Sequence, residues 1–357
     1  MPKKYVVACG GTGGHAFPGL AVARELKSRG HEVVVWMSGR DVESSVLKSW
    51  DGPTFSTGAR QLVPKNIFNI LCSFFRCRNE LRRFDPSAVL AMGSYSSLPP
   101  VLAAFSRRVP IILHEANTVP GKAVSFLSRF AKVVATTFDI TKNWLKGANI
   151  VKTGLPVRSE IANQPRFEDI PEDAFVVFIT GGSQGAHAVN EIMKEACVLV
   201  KKELRSEGKD DKFYVIHQTG VADKEKVEER YKLTGINARV RDFEREMGRA
   251  FASSNLVVCR AGASTCFELA IVGKCAFFIP LPSAMRDHQH MNAMEFVREN
   301  AADEGIQDML SPEKVAKYIL YRINHPEILE EKSKNMAAMA VPDAAKNVAD
   351  LVEANGK

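Results

Sequence analysis

The 357-residue chain is too long for one ordinary open α/β domain and accommodates two of roughly 150–180 residues each. Its hydrophobic fraction of 45% and charged fraction of 25% are ordinary for a soluble globular protein, and no uninterrupted apolar run of about eighteen residues is present to span a bilayer. A formal net charge of +7 suits an anionic partner, whether nucleic acid, anionic lipid or a phosphorylated substrate, and does not choose among them.

The N-terminus, MPKKYVVACGGTGG, runs directly into a strand and a glycine loop, unlike a signal peptide. Strands are predicted at residues 5–8, 32–37, 88–91, 111–114 and 133–136, then at 175–179, 214–218, 256–259 and 276–279. These runs are rich in Val, Ile and Phe without strict alternation, as in strands buried on both faces of a parallel sheet. Helical periodicity fills the gaps, for example at 18–29, 188–204 and 265–272. Residues 154–171 contain Pro156, Pro165 and Pro171 and read as an interdomain linker. The halves echo each other: Gly10-Gly11-Thr12-Gly13-Gly14 follows the first strand, and Gly181-Gly182-Ser183-Gln184-Gly185 follows the first strand after the linker. The expected architecture is α/β, with two Rossmann-like parallel-sheet domains facing a cleft and ligands outside the carboxyl ends of the strands.

Seven scattered cysteines, with no CxxC pair and no Cys/His ligand spacing, indicate reduced and mostly buried thiols. The first glycine loop lets backbone N–H groups approach an anion at a helix N-terminus. It lacks the Gly-Lys-Ser/Thr of a Walker A motif and the third glycine of GxGxxG. The second strand ends Trp36-Met37-Ser38, without the acid that holds a dinucleotide ribose, which disfavours NAD. His15 follows the loop; a helix N-terminus favours its neutral form, as a general base requires, but a capping or packing role fits equally. The second loop repeats the anion cradle and adds Ser183 and Gln184. In Cys259-Arg260-Ala261-Gly262-Ala263-Ser264-Thr265-Cys266-Phe267-Glu268, Glu268 is placed to accept from two vicinal hydroxyls, or simply to stabilise a helix start. Asp287-His288-Gln289-His290 with Asn292 has no carboxylate or cysteine at a matching interval, so hydrogen bonding is preferred to a metal site.

Residues 67–83 crowd Ile67, Phe68, Ile70, Leu71, Phe74 and Phe75 among Arg76, Arg78, Arg82 and Arg83. This is either a core helix with a basic outer face or a helix lying in a membrane interface. There each buried Phe or Ile contributes roughly 1.5–3 kcal/mol and each arginine about 1 kcal/mol near anionic lipid.

Together, GGTGGHAFPGLAVA, HEAN (residues 114–117), PVR (156–158), GGSQGA (181–186), CRAGAST (259–265) and the Gln289…Asn292-Ala293 cluster closely resemble the MurG family in order and spacing over nearly the whole chain. The resemblance implies a GT-B fold, with an acceptor and membrane-docking domain at 1–157, a UDP-GlcNAc-binding domain at 158–340, and a C-terminal helix at 341–357 packing back on the first. It implies an inverting transferase that moves GlcNAc from UDP-GlcNAc to the 4-hydroxyl of MurNAc-pentapeptide on undecaprenyl diphosphate, in peptidoglycan synthesis. No bound cofactor or metal is implied, and UDP-GlcNAc is the donor substrate.

Carried over by matching position, Thr12, Gly13 and Gly14 fall at the donor sugar and diphosphate, and Asn117, Arg158 and Ser183 on donor polar groups. Phe243 falls at the uracil, Ala263, Ser264, Thr265, Cys266, Phe267 and Glu268 at the diphosphate and ribose, and Gln289 at the sugar hydroxyls. His15 matches the proposed base, Ser94, Tyr95 and Glu115 lie on the acceptor side, and Ile67 to Arg78 match the docking patch. The implied location is peripheral, on the cytoplasmic face of the plasma membrane, against an anionic surface and without nucleic acid. Departures from the family pattern are Gly93-Ser94-Tyr95 for the usual GGY, Leu98-Pro99-Pro100 for a glycine-containing turn, Leu155 before Pro156, Ala116 and Ala261. The competing readings are a UDP-sugar epimerase, a dehydrogenase, and a non-catalytic UDP-sugar-binding protein at the membrane.

Overall fold

A computed structural model describes residues 1–11, 13–39, 47, 49–61, 63–182 and 184–357, with side chains at all but Pro64 and Ser159. It divides into two compact units, Met1–Arg158 with Val341–Lys357, and Ser159–Ala340.

The first unit holds β1 (Lys4–Ala8), β2 (Glu32–Met37), β3 (Thr54–Ser56), β4 (Ala88–Ala91), β5 (Ile111–Glu115), β6 (Val133–Thr136) and β7 (Ile150–Lys152). Among the described residues they form one parallel sheet in the order β3-β2-β1-β4-β5-β6-β7. Continuous apolar runs build it because both faces are covered. Tyr5 and Val7 join Leu20, Ala23 and Leu26 of the Gly13–Ser28 helix on one side. Val6 and Ala8 join Cys77 and Leu81 of the Ile67–Phe84 helix on the other.

The last helix, Ala344–Asn355, completes that first core with Val348, Ala349 and Val352, each fully buried. Burying the two valines stabilises the unit by roughly 1.5–3 kcal/mol each. Arg29 binds Glu25, Asp350 and Glu353 at 2.8, 2.6 and 2.6 Å, and His31 meets Glu353. Hydrogen bonds to these carboxylates outweigh desolvation and hold the guanidinium charged.

The second unit holds β8 (Phe175–Thr180), β9 (Phe213–Gln218), β10 (Asn237–Arg241), β11 (Leu256–Cys259), β12 (Ala276–Phe278) and β13 (Ala302–Glu304). They form a parallel sheet in the order β10-β9-β8-β11-β12-β13. In both sheets the strand order reverses beside the first strand, between β1 and β4 and between β8 and β11. Those are the switch points where open α/β sheets bind ligands.

Residues 154–171 are not a free linker. From Ser159 onward the segment belongs to the second unit, with Ile161, Phe167 and Ile170 buried. Phe167 N donates to Ser253 Oγ at 2.9 Å, and the Arg239 and Arg249 guanidinium groups lie 4.0 and 4.7 Å from its ring centroid. The apolar residues between the prolines pack the segment down. The first helix also starts earlier than predicted, at Gly13 inside the glycine loop, and carries Pro18 within it. Cys72 is exposed, whereas the other six cysteines are buried.

Candidate functional site

In the first unit, the glycine loop after β1 faces the turn after β4. Ser96 Oγ donates to the Gly10 carbonyl and Ser97 Oγ to the Gly93 carbonyl, tying the turn to the loop and to itself. A Cβ built on Gly93 would stand 3.7 Å from His15 Cδ2 and 3.4 Å from the His114 carbonyl, so these three residues are neighbours. His114 is fully buried and donates from Nε2 to the Gly154 carbonyl at 3.1 Å. Burial chiefly pushes its pKa down to about 4, and charge on His15 pushes the same way. His114 is therefore neutral, with Nδ1 buried and unpartnered among the described residues.

Glu115 ends β5 with its carboxylate turned into its own loop. Oε1 accepts from Asn117 N and Nδ2 at 2.9 and 3.2 Å, and Oε2 accepts from Gly121 N at 3.0 Å. Burial pushes its pKa up to about 7 against those hydrogen bonds. Thr141 Oγ1 donates to the Asn117 carbonyl at 3.1 Å, so Asn117 is held from both sides. The Arg158 guanidinium lies 4.7 Å from the centroid of Phe17, one helical turn beyond Gly13.

In the second unit, four strand ends converge. Gly182 N donates to Thr180 Oγ1 at 3.1 Å, and Gln218 Nε2 donates to the Gly182 carbonyl at 2.7 Å. Gly185 sits at φ 73°, and a Cβ there would meet the Thr219 carbonyl at 2.1 Å, so only glycine fits this approach. A polar chain, buried except for the exposed His187, fixes Thr219. Asn190 Nδ2 donates to the Thr219 carbonyl at 2.8 Å and to Asp223 Oδ2 at 2.7 Å, while Asp223 Oδ1 accepts from His187 Nδ1 at 2.9 Å. Asn190 Oδ1 therefore accepts from His217 Nε2 at 3.1 Å, which leaves His217 Nδ1 to accept from Tyr231 at 2.9 Å. Burial pushes the His217 pKa down to about 3, consistent with that neutral ring.

Phe243, 48% exposed, is presented by a loop pinned on both sides: Gly220 N donates to the Asp242 carbonyl and Gln218 Oε1 accepts from Glu244 N, each at 3.0 Å. After β11, Gly262 opens the Ala263–Val272 helix with no side-chain cap, so the first helical N–H groups are available to an anion. Glu268 lies in the second turn and is 7% exposed. Arg260 braces three chain segments, donating to the carbonyls of Ile279 and Pro280, both at 2.9 Å, and to Gln307 Oε1 at 2.7 Å. Gln289 Oε1 accepts from Leu281 N at 3.0 Å, which leaves its amide N–H groups as donors.

The structure thus gathers His15, Gly13, Gly14, Ser94, Tyr95, Asn117 and Arg158 around the carboxyl ends of the first sheet. It gathers Phe243, Ala263, Ser264, Thr265, Glu268 and Gln289 at those of the second. Thr12 and Ser183 lie outside the described residues. Cys266 and Phe267 are buried, with Phe267 edge-on to Phe296 and the Cys266 N–H bonded to the Gly262 carbonyl at 3.0 Å, so neither side chain faces a ligand. His288 Nδ1 meets the Met285 carbonyl and His290 Nδ1 pairs with Glu304, both at 2.8 Å. Among the described residues no three His, Cys, Asp or Glu side chains gather to hold a metal ion. Sequence reasoning missed Gln218, Arg260 and the polar chain around His217. The only signal was a polar residue ending an apolar strand.

The Ile67–Phe84 helix divides its apolar residues. Ile67, Phe68, Leu71 and Phe75 are exposed, Phe68 by 76% and Phe75 by 59%, with Arg76 among them. Ile70, Phe74 and Arg78 are half-buried, and Phe74 packs on the core. The helix packs against Leu98–Ser106, which carries exposed Phe105 in contact with Phe130. Phe126, also exposed, lies under the Arg129 guanidinium. No helix among the described residues is long and apolar enough to cross a membrane.

Two Rossmann-like domains of this kind define a GT-B architecture. Models of the glycosyltransferase family 28 N-terminal and C-terminal domains match residues 5–136 and 176–348. A curated relative from Pelobacter propionicus, a UDP-N-acetylglucosamine--N-acetylmuramyl-(pentapeptide) pyrophosphoryl-undecaprenol N-acetylglucosamine transferase, is 34% identical over 98% of both chains. The crystal structure of Acinetobacter baumannii MurG superposes with a TM-score of 0.79 at 29% identity, covering 99% of this chain and 100% of that one. The chain belongs to the MurG family of family 28 glycosyltransferases. A UDP-GlcNAc 2-epimerase from Neisseria meningitidis superposes with a TM-score of 0.72 at 14% identity over 99% of this chain and 100% of that one, a likeness of fold alone.

Proposed function

We propose that the protein transfers GlcNAc from UDP-GlcNAc, with inversion, to the 4-hydroxyl of MurNAc in an undecaprenyl-diphosphate-linked MurNAc-pentapeptide. The observation that carries this reading is the end-to-end match to a relative named for that reaction. The site chemistry supports it. The uncapped N-terminus at Ala263 suits the donor diphosphate, Glu268 the ribose hydroxyls, Phe243 the uracil face, and Gln289 the sugar hydroxyls. The acceptor oxygen attacks the anomeric carbon opposite the diphosphate. The carbon–oxygen bond to UDP breaks, its electron pair leaves on UDP, and the hydroxyl proton passes to the His15 imidazole. A helix N-terminus beside the leaving diphosphate stabilises the charge that develops there.

The protein works peripherally, on the cytoplasmic face of the plasma membrane. The exposed Ile67, Phe68, Leu71 and Phe75 dip into an anionic interface among arginines, and Phe105 and Phe126 extend this apolar surface. The deciding experiment supplies radiolabelled UDP-GlcNAc and a lipid-linked MurNAc-peptide. A lipid-soluble labelled product is expected; its absence with a folded, UDP-binding protein refutes the assignment.

A further inference from the structure

Ser94 adopts φ 70° and ψ 162°, a backbone conformation ordinarily left to glycine. It follows Gly93 at φ 82°, so β4 leaves the sheet through two successive residues of positive φ, of which only the first is glycine. Strain of this kind persists where the surroundings over-determine it, and here they act through one hydroxyl. Ser94 Oγ accepts from Ser96 N at 3.3 Å and lies 3.2 Å from Ser96 Oγ. Because the Ser96 hydroxyl donates to the Gly10 carbonyl, the proton between the two serines comes from Ser94. On its other side, Ser94 Oγ lies 2.7 Å from where a Cβ on Gly11 would stand, filling the space beside that glycine. The Ser94 hydroxyl thus packs beside Gly11 and holds Ser96, whose own hydroxyl bonds the Gly10 carbonyl, so the β4 turn meets both glycines that begin the first loop. His15 borders the same turn at Gly93.

We propose that Ser94 is a positioning residue that fixes the spacing of the β1 and β4 loops and thereby sets where His15 meets the acceptor hydroxyl. The inference rests on the proposed transfer reaction, with this crevice on its acceptor side. Glycine at this position would relax the backbone but release the clasp, so the strain accompanies a hydroxyl that the loops use.

Two variants separate the terms. Ser94→Ala keeps the strained backbone and removes the hydroxyl, whereas Ser94→Gly removes both. Each is expected to lower kcat/KM for the lipid-linked acceptor about tenfold, as for a lost hydrogen-bonded constraint on a reacting group. The Kd for UDP by calorimetry should stay unchanged, and Ser94→Gly should melt above Ser94→Ala. Should Ser94→Ala fail to fold, Ser94→Gly carries the kinetic test alone. Wild-type acceptor kinetics in either folded variant, a matching loss of UDP affinity, or equal melting temperatures would overturn the proposal. Absence of transfer by the unaltered chain sinks the parent reading, and this inference with it.

Discussion

The Glu115 carboxylate accepts the Gly121 backbone N–H at 3.0 Å, closing the six-residue loop that displays Asn117. Burial nevertheless raises its pKa from 4.5 to about 7, so the folded protein binds a proton there more tightly than the unfolded chain. The sign follows: between about pH 4.5 and 7 this group makes stability fall as pH rises, by at most about 3 kcal/mol. Glu115→Gln removes that slope and sets an amide N–H against the Gly121 N–H. Urea unfolding at pH 5, 6, 7 and 8 should show the stability gap between wild type and variant shrinking as pH rises. A constant gap would show that Glu115 titrates normally.

His15→Ala is expected to lower kcat by about 10²–10⁴-fold, the usual loss for a general base, with UDP affinity retained. Steady-state kinetics at saturating donor and acceptor measures it. A near-normal kcat would reduce His15 to a residue that shapes the loop.

Glu268→Ala should weaken UDP binding by roughly 1.5–3 kcal/mol if the carboxylate accepts from both ribose hydroxyls. Calorimetric titration with UDP and with NAD checks the effect and the nucleotide preference together. Unchanged UDP affinity removes Glu268 from the site, and NAD binding as tight as UDP overturns the donor assignment.

The Ile67–Phe84 helix offers an internal control. Phe68→Ser with Phe75→Ser should reduce co-sedimentation with anionic liposomes and leave both fold and UDP affinity intact, because both rings are exposed. Wild-type co-sedimentation should itself weaken with salt, as exposed charges are screened beyond about 8 Å at physiological ionic strength. Phe74→Ser acts differently, since Phe74 packs on the core, and is expected to cost about 1–3 kcal/mol of stability. Full liposome binding by the double variant would place the docking surface elsewhere.

All the central strands were legible from their apolar runs. The four strands that were not, β3, β7, β10 and β13, are the edges of the two sheets. Thr54–Ser56 and Asn237–Arg241 have one strand neighbour each and keep polar residues partly in solvent, so no buried run marks them. The glycine loops were legible because tight turns and close backbone approach demand glycine locally. Gln218, Arg260 and the chain from His187 to Tyr231 were not, because each works through partners 14 to 47 residues away. Phe74 and Phe75 are adjacent and chemically identical, and only packing distinguishes the one that faces the core.

Because Val348, Ala349 and Val352 complete the core around Tyr5 and Leu26, the first unit needs residues from both ends of the chain, whereas the second is a single continuous stretch. During synthesis the ribosome releases the first 158 residues with one apolar face still uncovered. Residues 341–357, which close that face, are made only after the whole of residues 159–340. The domain that starts first therefore cannot close until the second has been made, and a released chain ending near residue 340 would carry an open, aggregation-prone first domain.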